Sequence, residues 1–424
     1  MQDKIFISVK ELEDELKTLR QSFKNYQVAG DEIGMASQLN KIGDILIKLD
    51  QNKEAIKNLR RAEKVHRESG DDLSRSRDLA LIGKALLKMK RFDEAIKTFE
   101  DAIKIIEENE IQAQNLEYIN YYSNIGNIYS KMGNFDEAIK YHELSLEKHK
   151  IHKDKIFSDE FMRFQRVGAL GIADALQIIG DMYSLMGDIE KTISYYDEAL
   201  EIYKDIGVAE DEADLLQKFG LLYLSRNEYE KAYNAFKEAG DIHHKINDLK
   251  GFAIDLENMS DILGADYPDQ ALKLLDKCLN ISDKLCENLK KADVLRKMGL
   301  IHRNSGKFNK ALEYHNESLD LYQTHNEELG VARELRSIGE ITSELDDEDE
   351  ALEYYRKSIK IFKELENNIE IAGTYMNIAV SYHNKREIEK AVENIDKAIE
   401  IAEKSEFKDL LKQFKKLKKD ITSN

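Results

Sequence analysis

The chain has 424 residues and a formal net charge of −18. A protein this acidic lacks the positive surface that phosphate backbones require, which argues against nucleic acid as a main partner. No run of about 18 apolar residues occurs, and the Met1-Gln2-Asp3-Lys4 start is not typical of a signal peptide, so we expect a soluble cytoplasmic protein without stable membrane insertion.

The first predicted element is a helix within residues 1–30. Ser8 followed by Glu11 is typical of a capping box, in which each side chain accepts a hydrogen bond from the other residue's backbone amide. Apolar residues with helical spacing then run from Leu12 to Phe23 and form one stripe. We therefore expect residues 1–30 to form an N-terminal capping helix.

Residues 31–405 carry a repeated pattern of small side chains. Each repeat has three small residues, here named the first, second and third small positions, and successive repeats mostly start 39 to 43 residues apart. Repetition on this scale is typical of stacked structural units. The first small positions are Gly43, Gly83, Gly126, Gly180, Gly220, Ser260, Gly299, Gly339 and Ala379. The second are Ala55, Ala95, Ala138, Thr192, Ala232, Ala271, Ala311, Ala351 and Ala391. The third are Ala62, Ala102, Ser145, Ala199, Ala239, Cys278, Ser318, Ser358 and Ala398.

The residues around the small positions have the spacing of two amphipathic helices. In the fifth repeat, Leu216, Phe219 and Tyr223 form one apolar stripe, and Tyr233 and Phe236 lie on a second. Helices joined by a short turn lie antiparallel, and small residues let them approach closely. Seven residues after the first small position, six repeats have a residue that tolerates the left-handed conformation at a helix end: Asp50, Gly133, Gly187, Asn227, Gly306 and Asp346.

The combination of Gly126 with Tyr129, and of Gly180 with Tyr183, followed by the later small positions, resembles the tetratricopeptide repeat. The period near 40 and the segment 329–335 resemble the long-period variant of kinesin light chains and cell-polarity adaptors. Two family features, a Trp in the first helix and a closing Pro, are missing. The resemblance implies an all-α fold, a right-handed superhelical solenoid of nine antiparallel helix pairs with capping helices at both ends.

Between the third and the fourth repeat, the first small positions Gly126 and Gly180 are 54 residues apart, which places an insertion at residues 150–168. This insertion contains Phe157, Phe161, Met162 and Phe164. One interpretation is a contact loop, since loops on a rigid scaffold often carry function. The other is a pair of lengthened helices that bury these rings against each other, and the sequence leaves both interpretations open.

Residues 406–424 are predicted to form a basic amphipathic C-terminal capping helix. Phe414, Leu417 and Ile421 lie on one stripe, and lysines cover the other faces. Such a helix is able to dock on anionic lipid, but a terminal repeat also needs a lid with a polar outer face, and we favour the lid. Self-association through the terminal repeats is a further alternative.

Motifs for catalysis, phosphate binding and paired-cysteine metal binding are missing from the sequence, so we expect no enzyme activity, cofactor or metal. The one cluster of imidazoles with suitable spacing is His142, His149 and His152. His142 occupies the position that Phe99 fills in the second repeat, which favours a core role over metal binding. The acidic run 346–350 lacks the pattern of a calcium loop and is expected to be a solvated helix start.

The family resemblance implies that the first helices of the repeats line a concave groove. Side chains three and six residues before the first small position, and one residue after it, then face the groove. The resulting surface is polar, then acidic, then basic along the chain. One interpretation is that this order of charges orients a bound peptide, and the other is that these side chains merely keep the face solvated. The candidate ligand-binding residues are Asn120, Asn124, Asn127, Asp181, Asp261, Arg296, Arg333 and Arg336.

The three arginines are the strongest part of this candidate groove. Arg333 and Arg336 lie one helical turn apart, and Arg296 occupies the position equivalent to Arg336 in the preceding repeat. We expect two or three of their guanidinium groups to converge on one carboxylate or phosphate.

Together these features predict a non-catalytic adaptor or scaffold that binds a peptide or a partner domain in its groove. The alternative is a peptide-switched signalling regulator of the Rap type, acting on a response regulator or kinase. Those regulators resemble this chain in having helical N-terminal material before similar repeats. The leading segment here has room for one helix only.

Overall fold

The computed structural model describes residues 8–111, 116–155, 161–264 and 266–423. These residues form α-helices joined by short turns, with a 3₁₀ turn at Leu116–Tyr118, and none of them lies in a β-strand. No helix within these ranges has the length and hydrophobicity needed to cross a membrane. The chain divides into two units, Met1–Val208 and Ala209–Asn424.

Within each unit, every helix packs against the next one in the chain. The first unit contains α1 Val9–Ala29, α2 Glu32–Lys48, α3 Asn52–Ser69, α4 Asp72–Lys88, α5 Phe92–Glu108, α6 Ile119–Lys131, α7 Phe135–Lys155, α8 Phe161–Met186 and α9 Ile189–Ile206. The second unit contains α10 Ala209–Ser225, α11 Tyr229–Lys245, α12 Leu249–Leu263, α13 Pro268–Leu285, α14 Asn288–Asn304, α15 Phe308–Thr324, α16 Glu328–Glu344, α17 Glu348–Glu364, α18 Asn368–Asn384, α19 Ile388–Lys404 and α20 Lys408–Ser423. The predicted all-α fold of packed helix pairs is confirmed, while the count of nine pairs and the superhelical hand stay predictions.

The glycine at the first small position makes room for one large side chain of the following helix. A Cβ added at Gly220 would lie 2.6 Å from the ring of Phe236, and one added at Gly83 would lie 2.9 Å from Phe99. Real Cβ atoms do not approach other atoms this closely, so only glycine fits without a shift. In the third repeat the same place, opposite Gly126, is filled by the fully buried ring of His142, and the predicted core role of His142 is confirmed.

In eight repeats the turn between the paired helices uses the left-handed conformation at the position seven residues after the first small position. The six expected residues all have positive φ, for example 77° at Gly133 and 59° at Asn227. Lys90 and Arg386, at the same position in two further repeats, adopt it too, with φ of 59° and 62°. A non-glycine side chain in this region costs about 1 kcal/mol, which the packed helices on either side must offset.

Buried serine and cysteine side chains at the third small position each donate a hydrogen bond to a backbone carbonyl, which offsets the cost of burying them. Ser318 Oγ donates to the carbonyl of Ala292 at 2.9 Å, and Ser358 Oγ donates to that of Ala332 at 2.7 Å. Each acceptor lies on the first helix of the same repeat. A small hydroxyl therefore closes the helix pair without leaving an unpaired polar group in the core.

A buried polar trio joins α2 and α3 to α4. His66 Nδ1 lies 2.6 Å from Asp78 Oδ2, and Asn40 Nδ2 donates to Asp78 Oδ1 at 2.7 Å. His66 is 3% exposed and Asp78 is fully buried. Burial raises the pKa of Asp78 to about 6, although the hydrogen bonds from Asn40 and His66 act in the opposite direction.

The second unit repeats this trio on α10, α11 and α12. His243 Nδ1 lies 2.7 Å from Asp255 Oδ2, and Gln217 Nε2 donates to Asp255 Oδ1 at 2.8 Å. A related pair, His315 and Glu334, is fully buried with 2.5 Å between Nδ1 and Oε2. All three carboxylates lie five residues before a first small position, so the same place in the repeat accepts a buried acid.

The insertion at residues 150–168 continues the helices on both of its sides. Helix α7 runs to Lys155 and α8 begins at Phe161, and both are longer than the 17 residues of most helices in the chain. Phe157 lies outside the described residues, as do the side chains of Phe161, Met162 and Phe164.

The first and last helices both use the residues singled out in the sequence. Ser8 and Glu11 form the predicted capping box at the start of α1, with Glu11 N donating to Ser8 Oγ at 3.2 Å. At the other end, Phe414 and Ile421 of α20 are buried with residues of α19 such as Ala398. The apolar stripe of α20 is therefore covered by the preceding helix.

Candidate functional site

In the first unit, the predicted groove residues lie on α6 and α8. Asn120 and Asn127 are exposed on α6, and Asn124 is half-buried between them. Asp181 on α8 accepts a hydrogen bond from the hydroxyl of Tyr196 at 2.6 Å. Burial and this bond raise the pKa of Tyr196, so the hydroxyl stays a donor to Asp181.

In the second unit, the predicted acidic stretch is partly neutralised by lysines of the next first helix. Lys297 Nζ on α14 lies 2.7 Å from Asp261 Oδ2 and 3.3 Å from Glu257 Oε2 on α12. Lys290 Nζ lies 2.8 Å from the other oxygen of Glu257. The surface predicted to be acidic is thus one of alternating charge.

Arg333 and Arg336 converge on a carboxylate, as expected, but this carboxylate belongs to the chain itself. Arg333 Nε donates to Glu370 Oε1 at 2.9 Å, and Arg336 Nη1 donates to Glu370 Oε2. Burial raises the pKa of Glu370, but the charge of Arg336 and the hydrogen bonds from both arginines outweigh it, and the pKa is lowered. Glu370 therefore stays ionised and orders the two guanidinium groups.

Arg296 lies near other carboxylates than Glu370. Its guanidinium lies 3.8 Å from Asp293 Oδ1 and 3.8 Å from the buried Glu334 Oε1. The three arginines therefore divide between two places on α14 and α16.

Ion pairs join each first helix from α12 to α18 to the next first helix. Besides the contacts already described, Arg303 on α14 donates to Glu340 and Glu344 on α16, with 2.7 Å from its Nη2 to Glu344 Oε1. Asn377 on α18 donates to Glu340 Oε1 at 2.7 Å. We call these contacts the ion-pair ladder; they link successive first helices from α12 to α18 along one face, here named the first-helix face.

Two large apolar side chains also lie exposed at positions that the family resemblance predicts to face the groove. Leu221, one residue after Gly220 on α10, is 56% exposed, and Ile254, six residues before Ser260 on α12, is 45% exposed. Neither residue was predicted from the sequence, where only polar side chains were assigned to the groove. Exposed aliphatic side chains beside a charged ladder provide the kind of anchor that a bound peptide buries.

Glu370 and Lys297, the partners of the predicted site residues, were not predicted from the sequence. The sequence does contain a pattern that could have identified these partners, since each pair consists of opposite charges about one repeat apart. Arg333 and Glu370 are 37 residues apart, and Lys297 and Asp261 are 36 apart. No group of three or more His, Cys, Asp or Glu side chains within the described ranges has a geometry that holds a metal ion.

Comparison with protein families identifies the family to which the repeats belong. A tetratricopeptide repeat model matches residues 34–108, 80–151, 171–243, 265–324 and 292–364, and a second model of the family matches 372–405. These matches span more than half of the chain. The chain belongs to the tetratricopeptide repeat family. The resemblance seen in the sequence is confirmed for the family, while the long-period variant stays a prediction.

A curated relative is tetratricopeptide repeat protein 29 of Trypanosoma brucei brucei (strain 927/4 GUTat10.1). It is 23% identical over 163 residues, which make up 37% of this chain and 34% of that protein. The chain thus matches about a third of the length of this relative.

Several solved structures are similar to this chain. Aspartyl phosphate phosphatase F from Bacillus subtilis is 15% identical with a TM-score of 0.50, covering 86% of this chain and 93% of that one. BtubC (BKLC) from P. vanneervenii is 18% identical with a TM-score of 0.47, covering 56% of this chain and 92% of that one. At these identities the likeness concerns the fold. Tetratricopeptide folds generally bind protein or peptide partners, and this chain is a repeat scaffold of that type.

Proposed function

We propose that the first-helix face of α10–α18 binds an extended or helical peptide segment of a partner protein, and that the chain acts as a non-catalytic adaptor. The observation that carries this proposal is the exposure of Leu221 and Ile254, which lie at positions predicted to face the groove. In water each of these side chains leaves apolar surface hydrated, and covering it releases about 25 cal/mol per Å². Binding of a peptide with apolar side chains recovers this energy.

The arginine pair gives the same face a polar anchor. Arg333 is 42% exposed while its Nε is bonded to Glu370, so part of its guanidinium edge faces solvent. Glu370 is only 14% exposed and already orders both arginines, so little side-chain entropy is lost when a ligand binds. A carboxylate of the bound peptide then accepts hydrogen bonds from Arg333, and the ion-pair ladder resists partners of the wrong charge order.

The test uses the full chain and peptides selected on it from a phage-displayed random library. We expect the selected peptides to combine an aliphatic side chain with a carboxylate, and Leu221→Asp to weaken them about tenfold in fluorescence anisotropy. The matched control is Leu185→Asp, the same change at a leucine that is 65% exposed on α8. Equal affinity of both variants for the selected peptides contradicts the proposed site.

A second measurement separates the adaptor from a Rap-type regulator. An adaptor leaves the lifetime of the acyl phosphate on a phosphorylated response regulator unchanged. Faster loss of this phosphate in the presence of the pure protein would favour the regulator and contradict a non-catalytic role.

A further inference from the structure

A row of basic side chains runs along one face of α3 in the first unit. Lys53, Lys57, Arg60, Lys64 and Arg67 follow one another at alternating spacings of four and three residues, which places them on one side of a helix. All five are exposed. The row spans about 21 Å at 1.5 Å per residue, and its charge is opposite to the chain's net charge of −18. We call it the α3 basic row.

Three residues of the α3 basic row lie in one wall of a cleft between α3 and α5. Both helices pack on α4, which lies between them. The cleft has a volume of about 680 Å³, within the range of ligand-binding clefts. Arg60, Lys64 and Arg67 line it from α3, and Leu79 and Ile82 line it from α4. Glu63 of α3 also lines it, but its carboxylate is paired with Arg75 of α4, with 3.0 Å between Glu63 Oε1 and Arg75 Nε.

Most of the row is not neutralised by the chain. Within the described residues, no ion pair is formed by Lys53, Lys57, Arg60 or Arg67, and Lys64 has a weak one, 3.9 Å from Glu68. This differs from the first-helix face of the second unit, where the arginines have carboxylate partners. Unpaired cations held side by side repel one another, and an acidic partner relieves this repulsion.

The opposite wall of the cleft determines what kind of acidic partner fits. On α5 it carries Asp101 and Glu108 together with Lys104, so its charge is mixed. A nucleic acid or an anionic membrane would press phosphates against these two carboxylates as well. A peptide with acidic residues on one edge puts its carboxylates against α3 only, and its apolar edge can cover the half-buried Leu79.

We propose that the α3 basic row and the α3–α5 cleft bind an acidic amphipathic peptide segment of a partner protein. Carboxylates of this segment pair with Arg60, Lys64 and Arg67, and its apolar side chains pack on Leu79. This surface lies in the first unit and on other helices than the first-helix face of α10–α18, so it adds a second binding site to the adaptor.

The probe is a labelled synthetic helical peptide with glutamates at i, i+4, i+7 and i+11 and leucines on the other face. We expect the full chain to bind it at least about tenfold more tightly than the same peptide with glutamines, and to lose affinity as salt increases. The double variant Arg60→Glu/Arg67→Glu should weaken binding at least about tenfold.

The control is Lys273→Glu/Lys277→Glu, which makes the same change in net charge at two exposed lysines of α13. It should bind the glutamate peptide like the wild type. Arg60→Gln/Arg67→Gln serves as a milder pair of changes if charge reversal disturbs folding, as monitored by circular dichroism.

Three results overturn the proposal. The first is equal binding of the glutamate and glutamine peptides, and the second is equal binding by the α3 and α13 variants. The third is preferential binding of oligo(dT) or of phosphatidylserine vesicles that the α3 variant loses, which would assign the row to nucleic acid or membrane instead. All three are distinguishable from failure of the first-helix face, because Leu221→Asp leaves the α3 row intact.

Discussion

Replacing His142 by phenylalanine should stabilise the protein, and more so in acid. The ring of His142 is fully buried opposite Gly126, and neither ring nitrogen has a hydrogen-bond partner among the described residues. Phe99 and Phe236 fill the equivalent space in other repeats and are also fully buried, so a phenyl ring fits there. Removing the unpaired polar atoms should raise the free energy of unfolding by about 1–3 kcal/mol at pH 7.5.

The pH dependence follows from the pKa of His142. Burial lowers this pKa to about 4 from its ordinary 6.5, because the core disfavours the charged imidazolium. As the pH falls, the imidazole of His142 therefore binds a proton near pH 6.5 in the unfolded chain but only near pH 4 in the folded chain. Between these values the wild type loses about 1.4 kcal/mol per pH unit, which amounts to about 2 kcal/mol at pH 5. His142→Phe removes this loss.

Urea unfolding followed by circular dichroism at pH 7.5 and pH 5.0 measures both effects. The difference between the variant and the wild type should widen by about 2 kcal/mol at the lower pH. His325→Phe is the matched control, since His325 is exposed and the same substitution there removes no buried, unpaired polar atom. A His142→Phe variant that is less stable at pH 7.5, or whose advantage does not grow in acid, refutes the reasoning.

Two further predictions concern packing and reactivity. Gly220→Ala places a Cβ 2.6 Å from Phe236 and should lower the free energy of unfolding by about 1–3 kcal/mol in urea, whereas Gly168→Ala, with no neighbouring atom within 4 Å of the added Cβ, should not lower it. In a thiol titration with a chromogenic disulfide, the exposed Cys286 should react in the native protein and Cys278 only in denaturant, because burial raises the pKa of the Cys278 thiol to about 12. Rapid reaction of both native thiols would show that α13 opens readily.

The spacing of small residues was enough to predict the helix pairs, because close approach of two helices leaves room for very few side chains. Asn227 and Asp50 also indicated where first helices end, since these residue types tolerate the left-handed conformation. Lys90 and Arg386 were missed at the same position because their side chains have no such preference. There the packing of the helices on both sides imposes the turn.

The candidate site was less predictable than the fold. The register of the repeat identified Arg333 and Arg336 as neighbours, since that depends only on position along one helix. Their bonds to Glu370 depend on the distance between α16 and α18, which the periodic pattern does not specify. The exposure of Leu221 was not predicted either, because apolar residues in an amphipathic helix are normally assigned to the core.

The buried polar trios make the borders between repeats unequal. Asp78 receives its hydrogen bonds from residues of the preceding repeat, and so does Asp255. Deleting either preceding repeat would leave a carboxylate in the core without its histidine, at a cost of several kcal/mol. The pair of His315 and Glu334 closes a third border in the same way. Excising or duplicating a repeat should therefore be least tolerated at the borders closed by His66, His243 and His315.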